Sequence, residues 1–416
     1  MNSVIREHDL IASAARPSGA EPETFATSRK SLRVALVSSS SGSRGGGEFY
    51  LCGLANGLAA LGHEVHSVLA EHERMDELAS LLAPFSTVHR IRYRNTYDRR
   101  LRCAGAVLAR AEISRIGREL AALRPDVVHI NKQNVEDGLD LLVAAQKVGL
   151  PTVATIHVTR TMRQLGSVGG VIRDWVSRRV LRRIQCPLIA IAQSGMADLA
   201  ALGIAPSRLN LVWNGVSPAP AADREAVRRG WGCAPHDIVL GCVARIEPQK
   251  NPLFLPSLLA QLPPHVRLVW IGDGSLKEPL RQAAIAAGVA ERIILPGWQH
   301  DARSYLAGFD LFVLPSLYEG FPFAILEAMA AALPCVVSNV DGVSEAVVDG
   351  ETGFVCPPNA TEIWLERIRY YLANPDARSR AGSLGYARYA EHFSLAAMAR
   401  KTVNAYQEVT RFSSSA

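Results

Sequence analysis

Short apolar runs alternate with helix-period stretches along nearly the whole of this 416-residue chain, and that alternation constrains the fold more than any other feature. In the first half the runs are "RVALVSS" (33–39), "EVHSVLA" (64–70), "VHRIRY" (88–93), "DVVHI" (126–130), "PTVATIH" (151–157), "PLIAIA" (187–192) and "LNLVW" (209–213). In the second half they are "IVLGCVA" (238–244), "VRLVWIG" (266–272), "RIILPG" (292–297), "DLFVLP" (310–315) and "PCVVS" (334–338). Helical stretches such as 47–62, 105–123 and 136–148 separate them. A helix between two strands returns the chain to the same end of the sheet, so the strands pair in parallel. The pattern predicts an α/β architecture.

The chain is too long for one ordinary core. The break falls at "NGVSPAPAAD" (214–223), rich in Pro, Ala and Gly, between two βα series. Two Rossmann-like domains are expected, 31–214 and 223–390, joined by a linker at 215–222 and facing each other across a cleft. The amphipathic stretch 394–412 outlasts the second series, so residues 391–416 are expected to form a helix packing back across the seam. Residues 1–30 are polar, mixed in charge and without an apolar core segment; they read as a disordered tail, not a secretory signal. No run of 18 apolar residues suggests a membrane span. Seven cysteines, with no CxxC pair, read as reduced thiols and not as a zinc site or disulfide framework.

The chemistry concentrates at "YEGFPFAILEAMA" (318–330). Pro322 suits a first helical position, so a helix is expected to start there. That helix is apolar all round except for Glu327, and a buried carboxylate without a partner is costly. Two readings stand on spacing alone. Glu327 pairs with a core Arg, or it accepts from hydroxyls of a bound sugar. The backbone N–H groups of Phe323 and Ala324, at the helix start beyond a strand end, suit a phosphate. Glu319, just ahead, suits a second hydroxyl cluster. Arg245 and Lys250, in "CVARIEPQKN" past another strand end, could clamp a diphosphate, although two loop cations are more often solvated surface. The Gly-rich loop in "SSSSGSRGGGEFY" (38–50) opens a helix near Gly47 but is neither GxGxxG nor a Walker loop. The plain reading of Glu48 is that it favours the helix start.

These segments resemble the retaining GT-B glycosyltransferases of family GT4. The likeness rests on the E-x7-E block from Glu319 to Glu327 with its tail "EAMAAALPCVVSNVDGVSEAVVDGETGFVCPP", on "RIEPQKN" and on "IGDGSLKEPL". Looser matches are "GGGE" (45–48), "PDVVHIN" (125–131), "TIH" (155–157) and "NGV" (214–216). The resemblance implies that Glu327 binds ribose, Glu319 faces the donor sugar, and Arg245 and Lys250 hold the diphosphate. It further implies that the backbone of Phe323, Ala324 and Ile325 completes that site, that Gly46 and Gly47 border the phosphates, and that His157 sits beside the reacting sugar. Three departures concern the donor sugar: Ser217 after "NGV", Phe323 where a small residue is common, and Val158 after the histidine. No Asp-x-Asp or metal-spaced cluster occurs, so neither a metal nor another cofactor is expected. His129, on an apolar strand, reads as a core histidine.

Residues 158–183 hold seven arginines (Arg160, Arg163, Arg173, Arg178, Arg179, Arg182, Arg183) against Asp174 alone. With Val171, Ile172, Trp175, Val176 and Val180 among them, this is either a solvated helix or a contact for an anionic membrane. Residues 90–102 are similarly basic. No nucleic-acid module accompanies the charge, so nucleic acid is not an expected partner. The expectation is a cytoplasmic enzyme, peripheral to a membrane, moving a sugar from a UDP-sugar to a glycan or lipid-linked acceptor. A UDP-sugar 2-epimerase of the same fold, and an idle nucleotide-sugar or glycan-binding protein, are the alternatives.

Overall fold

The computed structural model describes residues 31–413 except 41, 43, 44, 96, 97, 100–102 and 104–107. The expected tail at 1–30 lies outside the described residues, as does part of the basic stretch 90–102. β1 (Arg33–Ser38), β2 (Glu64–Ala70), β3 (Thr87–Ile91), β4 (Val127–Asn134), β5 (Thr152–Val158), β6 (Leu188–Ala190) and β7 (Leu209–Leu211) form a seven-stranded sheet in the order β3-β2-β1-β4-β5-β6-β7. β8 (Ile238–Val243), β9 (Val266–Ile271), β10 (Ile293–Gly297), β11 (Leu311–Leu314), β12 (Cys335–Ser338) and β13 (Gly353–Cys356) form a second, in the order β10-β9-β8-β11-β12-β13. Every pairing is parallel. Both are doubly wound Rossmann-like sheets, which explains the continuously apolar strands: helices cover both faces.

Two strands depart from the sequence reading. β13, "GFVC", pairs with β12 at the sheet edge from Cys335↔Gly353 to Ser338↔Cys356. Four residues containing a glycine gave no periodic signal. β4 runs past "DVVHI" through Asn131, Lys132, Gln133 and Asn134, held in register by β5 (Asn131↔Thr155, Asn134↔Val158). A polar extension of that kind escapes a search for apolar runs.

Helix Leu395–Ser413 lies against helix Gly46–Ala60 of the first series. Two glycines permit the close approach: a Cβ on Gly53 would lie 2.9 Å from Leu395 Cδ2, and one on Gly57 2.9 Å from Ala399 Cβ. Met398, Val403 and Tyr406 thereby join the core of the first sheet. Below them His129 is fully buried and satisfied, with Nδ1 2.6 Å from Tyr406 Oη and Nε2 2.8 Å from Thr155 Oγ1. The two sheet units are tied at several further points. Asn214 Nδ2 donates to Phe321 O at 3.0 Å. The Glu345 carboxylate accepts from the Gln193 N–H at the start of helix Gln193–Ala201 (2.7 Å) and from Trp213 Nε1 (2.9 Å).

Candidate functional site

Each sheet reverses its strand order once, between β1 and β4 and between β8 and β11. Open α/β sheets bind ligands at such points, beyond the carboxyl ends of the strands. The residues singled out in the sequence follow those ends: Arg245 and Lys250 after β8, Glu319 to Glu327 after β11, Gly46 and Gly47 after β1. His157 stands near the end of β5.

Helix Phe323–Ala330 begins one residue later than its proline suggested. Pro322 is the N-cap, extended at φ −75° and ψ 121°. A proline there ends the incoming chain without wasting a donor, and Phe323 becomes the first helical residue. Ile325 N–H turns back to Pro322 O at 3.3 Å. Phe323 and Ala324, by contrast, make no backbone N–H bond among the described residues, so they are the open donors of this turn. Ile325, Leu326, Ala328 and Met329 are fully buried, which fixes the helix against its sheet.

Glu327 keeps a partial opening to solvent. Among the described residues its carboxylate makes no hydrogen bond and no ion pair. The core-Arg reading therefore finds no partner: Arg303, whose charge acts on it through space, lies against Asp301 at 3.5 Å. Dense protein around the carboxyl raises its pKa to about 7, with Arg303 lowering it and Asp301 raising it.

The next pair is joined directly. Lys250 Nζ lies 2.5 Å from Glu319 Oε1, and both side chains are largely shielded. Ser316 Oγ donates to the same oxygen at 2.6 Å. The loop carrying Lys250 is stitched to the loop carrying Glu319 by Leu317 N–H to Gln249 O at 2.8 Å and Gln249 Nε2 to Tyr318 O at 2.9 Å. Arg245 is exposed and makes no ion pair among the described residues.

The first sheet supplies the facing bank. A Cβ on Gly46 would lie 3.6 Å from the Phe323 ring, so the start of helix Gly46–Ala60 looks onto the start of helix Phe323–Ala330. Gly47 is buried, its Cα covered by Gln133 and its carbonyl held by Asn131 Nδ2 at 2.9 Å. Glu48 does serve the helix start, accepting from the Gly45 N–H at 3.1 Å, and it also takes the Ser40 hydroxyl. His157 Nε2 lies 2.7 Å from Asn131 Oδ1, and the Tyr50 ring meets the imidazole edge-on at 4.8 Å. Burial drops the His157 pKa to about 4, so the ring is neutral at pH 7. The His157 carbonyl reaches across toward Gly320. Behind it Gly342, at φ +73°, allows a backbone approach to Gly320 O that no side chain would tolerate.

Residues 223–388 match the family described as glycosyl transferases group 1, and residues 44–219 match glycosyltransferase family 4. The alpha-maltose-1-phosphate synthase of Mycolicibacterium smegmatis is 30% identical over 303 residues, covering 66% of this chain and 77% of that protein. The chain belongs to the group 1 glycosyltransferases. A second relative of this glycosyltransferase is the UDP-Gal:alpha-D-GlcNAc-diphosphoundecaprenol alpha-1,3-galactosyltransferase of Escherichia coli. It is 33% identical over 254 residues, 58% of this chain and 65% of that protein, just under two thirds of the relative's length. Among solved structures, HepE from Anabaena in complex with UDP aligns with a TM-score of 0.77 at 19% identity, covering 91% of this chain and 100% of that one. The glycosyltransferase thus has the GT-B fold of two facing Rossmann-like units.

Sequence reasoning missed Asn131, Gln133 and Tyr50, which shape the first bank, and Glu345, which ties the second sheet unit to the first. Asn131 ends the "PDVVHIN" stretch, yet only the pairing of β4 with β5 brings it to face His157. Glu345 lies inside the tail of the E-x7-E block without any local pattern to mark it.

Proposed function

We propose that this glycosyltransferase moves a sugar from a nucleoside-diphosphate donor, UDP-linked, to a hydroxyl of a glycan or lipid-linked acceptor, with retention of anomeric configuration and without a metal or other cofactor. The observation that carries the reading is Glu327: a carboxylate beside a helix N-terminus, partly open and unpartnered, in a loop system that also presents Arg245 and Lys250. Ribose hydroxyls would satisfy Glu327 and restore its charge. A diphosphate would meet Arg245, Lys250 and the free N–H groups of Phe323 and Ala324. Glu319 would then exchange part of its Lys250 contact for hydroxyls of the sugar, with His157 at the sugar's other side and Gly46 and Gly47 bordering the phosphates.

In this reading the work is positioning and charge stabilisation. Arg245 and Lys250 stabilise the leaving diphosphate as negative charge builds on it. The leaving oxygen accepts the acceptor's proton on the same face, so no side chain serves as base. Neutral His157 suits that arrangement, because it brings no competing cation to the sugar. A UDP donor is supported by the UDP-Gal in the E. coli relative's name and by the UDP complex of HepE. A lipid-linked acceptor is supported by the diphosphoundecaprenol in the same relative's name.

An anionic membrane surface fits that acceptor. Among the described residues no helix is long and apolar enough to cross a membrane. Helix Gly170–Arg183 does expose Val171, Ile172 and Trp175 near one end and Arg178, Arg179, Arg182 and Arg183 toward the other. Arg160 and Arg173 are spent on Asp341 and Glu136. Replacing the four exposed arginines with Gln should abolish salt-sensitive binding to phosphatidylglycerol liposomes; unchanged binding rejects the membrane contact. The function itself is tested by a thermal-shift screen of UDP, GDP and their sugars. Stabilisation by UDP, rising with concentration, is expected, and stabilisation by none of them rejects the reading.

A further inference from the structure

Asn131 ends the "PDVVHIN" stretch without an assigned role, and two hydrogen bonds leave it no freedom. Its Nδ2 faces the Gly47 carbonyl at 2.9 Å. A carbonyl can only accept, so the amide nitrogen must be on that side. Its Oδ1 is therefore the atom 2.7 Å from His157 Nε2. An amide oxygen also only accepts, so Nε2 carries a proton. Asn131 is fully buried and cannot turn to water for an alternative.

We infer that Asn131 is a positioning residue: it locks His157 as the neutral, Nε2-protonated tautomer and leaves Nδ1 as a hydrogen-bond acceptor for a hydroxyl of the bound sugar. The sugar contact rests on the proposed function; the tautomer does not. Several observations converge on it. The groups packed around the imidazole carry no charge near neutral pH: the Tyr50 phenol is pushed up to about 12 and His129 down to about 3, both by burial. With only one proton on the ring, protonation at Nε2 leaves Nδ1 bare. Nδ1 has no hydrogen-bond partner among the described residues, while His157 keeps a partial opening to solvent. The Tyr50 ring, edge-on at 74°, fixes the imidazole plane. The same amide grips the carbonyl of Gly47, so the glycine-rich helix start and the histidine are set by one side chain. A ring held this way accepts from a sugar hydroxyl and has no proton to give it.

Long-range 1H–15N correlation spectra of the full chain test this, with His157 assigned by the signal lost in His157→Gln. The parent should show Nε2 protonated and Nδ1 bare at pH 7, with no titration from pH 8 to 5.5. Asn131→Ala should release the tautomer into a mixture. It should lower kcat about tenfold, the worth of one hydrogen bond. Asn131→Asp, whose carboxylate accepts the same bond, should keep the Nε2–H form but raise the His157 pKa by at least about one unit. That gives kcat/KM a new inflection toward neutral pH. A parent protonated at Nδ1 overturns the inference, and so does Asn131→Ala with the parental tautomer or Asn131→Asp with the parental pH profile. Should either variant fail to fold, the parent spectrum alone decides. Should UDP fail to bind, the proposed function falls while the tautomer assignment stands or falls on its own spectrum.

Discussion

The two banks of the cleft meet at Gly46 and Phe323 but are finished differently. On the first bank the polar groups answer one another, apart from the open His157 Nδ1: His157 Nε2 to Asn131, Asn131 to Gly47, Glu48 to Ser40 and the Gly45 N–H. On the second bank Lys250 and Glu319 are paired, while Glu327, Arg245 and the N–H groups of Phe323 and Ala324 have no partner among the described residues. Satisfied buried networks rigidify, whereas an unsatisfied buried carboxylate costs stability. A fold tolerates that cost where a ligand removes it. The contrast separates a frame that orients from a surface that binds, and mutations on the second bank should reach ligand affinity and stability in ways that mutations on the first do not.

The largest effect should come from Arg245. It is exposed, so Arg245→Ala leaves the fold and the melting temperature unchanged. The charge it removes matters most as the diphosphate departs. Loss of one preorganised electrostatic group lowers kcat by on the order of 100-fold or more. Steady-state kinetics with a UDP-sugar measure it; a kcat within threefold of the parent would place Arg245 among ordinary solvated surface cations.

Glu327 comes next. Glu327→Ala removes an acceptor that serves ground state and transition state alike, so the donor KM should rise more than kcat falls. Both bonds to a charged carboxylate together are worth roughly 1.5–3 kcal/mol, or about 10- to 150-fold in UDP affinity by calorimetry. Parental affinity in this variant would remove ribose from the account of the second bank.

Glu327→Gln sharpens the same contrast without ligand. The carboxyl pKa is raised from 4.5 to about 7 in the fold. A raised carboxyl makes the folded state bind more protons than the unfolded state between those values. Its cost is nil below about pH 4.5, grows as pH rises and is complete above about pH 7. The neutral amide avoids it. At pH 8 the variant should be more stable than the parent by on the order of 1–2 kcal/mol, after allowance for the partial opening to solvent. At pH 4.5 the two should melt together. A pH-independent difference, or a less stable variant at pH 8, would mean that the carboxylate is structurally paired.

These groups were not equally legible in the chain. The parallel architecture was, because buried parallel strands announce themselves as uninterrupted apolar runs such as "IVLGCVA". Glu319, Glu327, Arg245 and Lys250 were also visible: charge in an apolar helix, or just past a strand end, is locally conspicuous. Asn131 and Gln133 were not. Strand pairing with β5 carries them to the cleft, and pairing is a non-local property that composition does not display. The edge strand Gly353–Cys356 escaped for a similar reason, since its neighbour β12 and not its own pattern makes it a strand. The Lys250–Glu319 pair was half legible: both members stood out as ligand groups, but their mutual contact depends on how two loops from different strands converge.

The smallest expected effect is a null one, and it tests whether the second bank is electrostatically complete. A diphosphate brings negative charge that must be neutralised when it leaves, and enzymes do so with metal ions or with cationic side chains and helix termini. Here Arg245 and Lys250 follow β8 and the start of helix Phe323–Ala330 follows β11, beyond the carboxyl ends of neighbouring strands. Among the described residues no group of three or more His, Cys, Asp or Glu side chains could hold a metal ion. Addition of excess EDTA to the assay should therefore leave kcat/KM within about twofold of its value in Mg²⁺, a difference below 0.5 kcal/mol. Salt should matter more than chelator, because an exposed arginine facing a diphosphate is screened over about 10 Å at 0.1 M ionic strength. Complete loss of transfer in EDTA, restored by Mg²⁺ or Mn²⁺, would show that the cations of the second bank do not suffice for the leaving diphosphate.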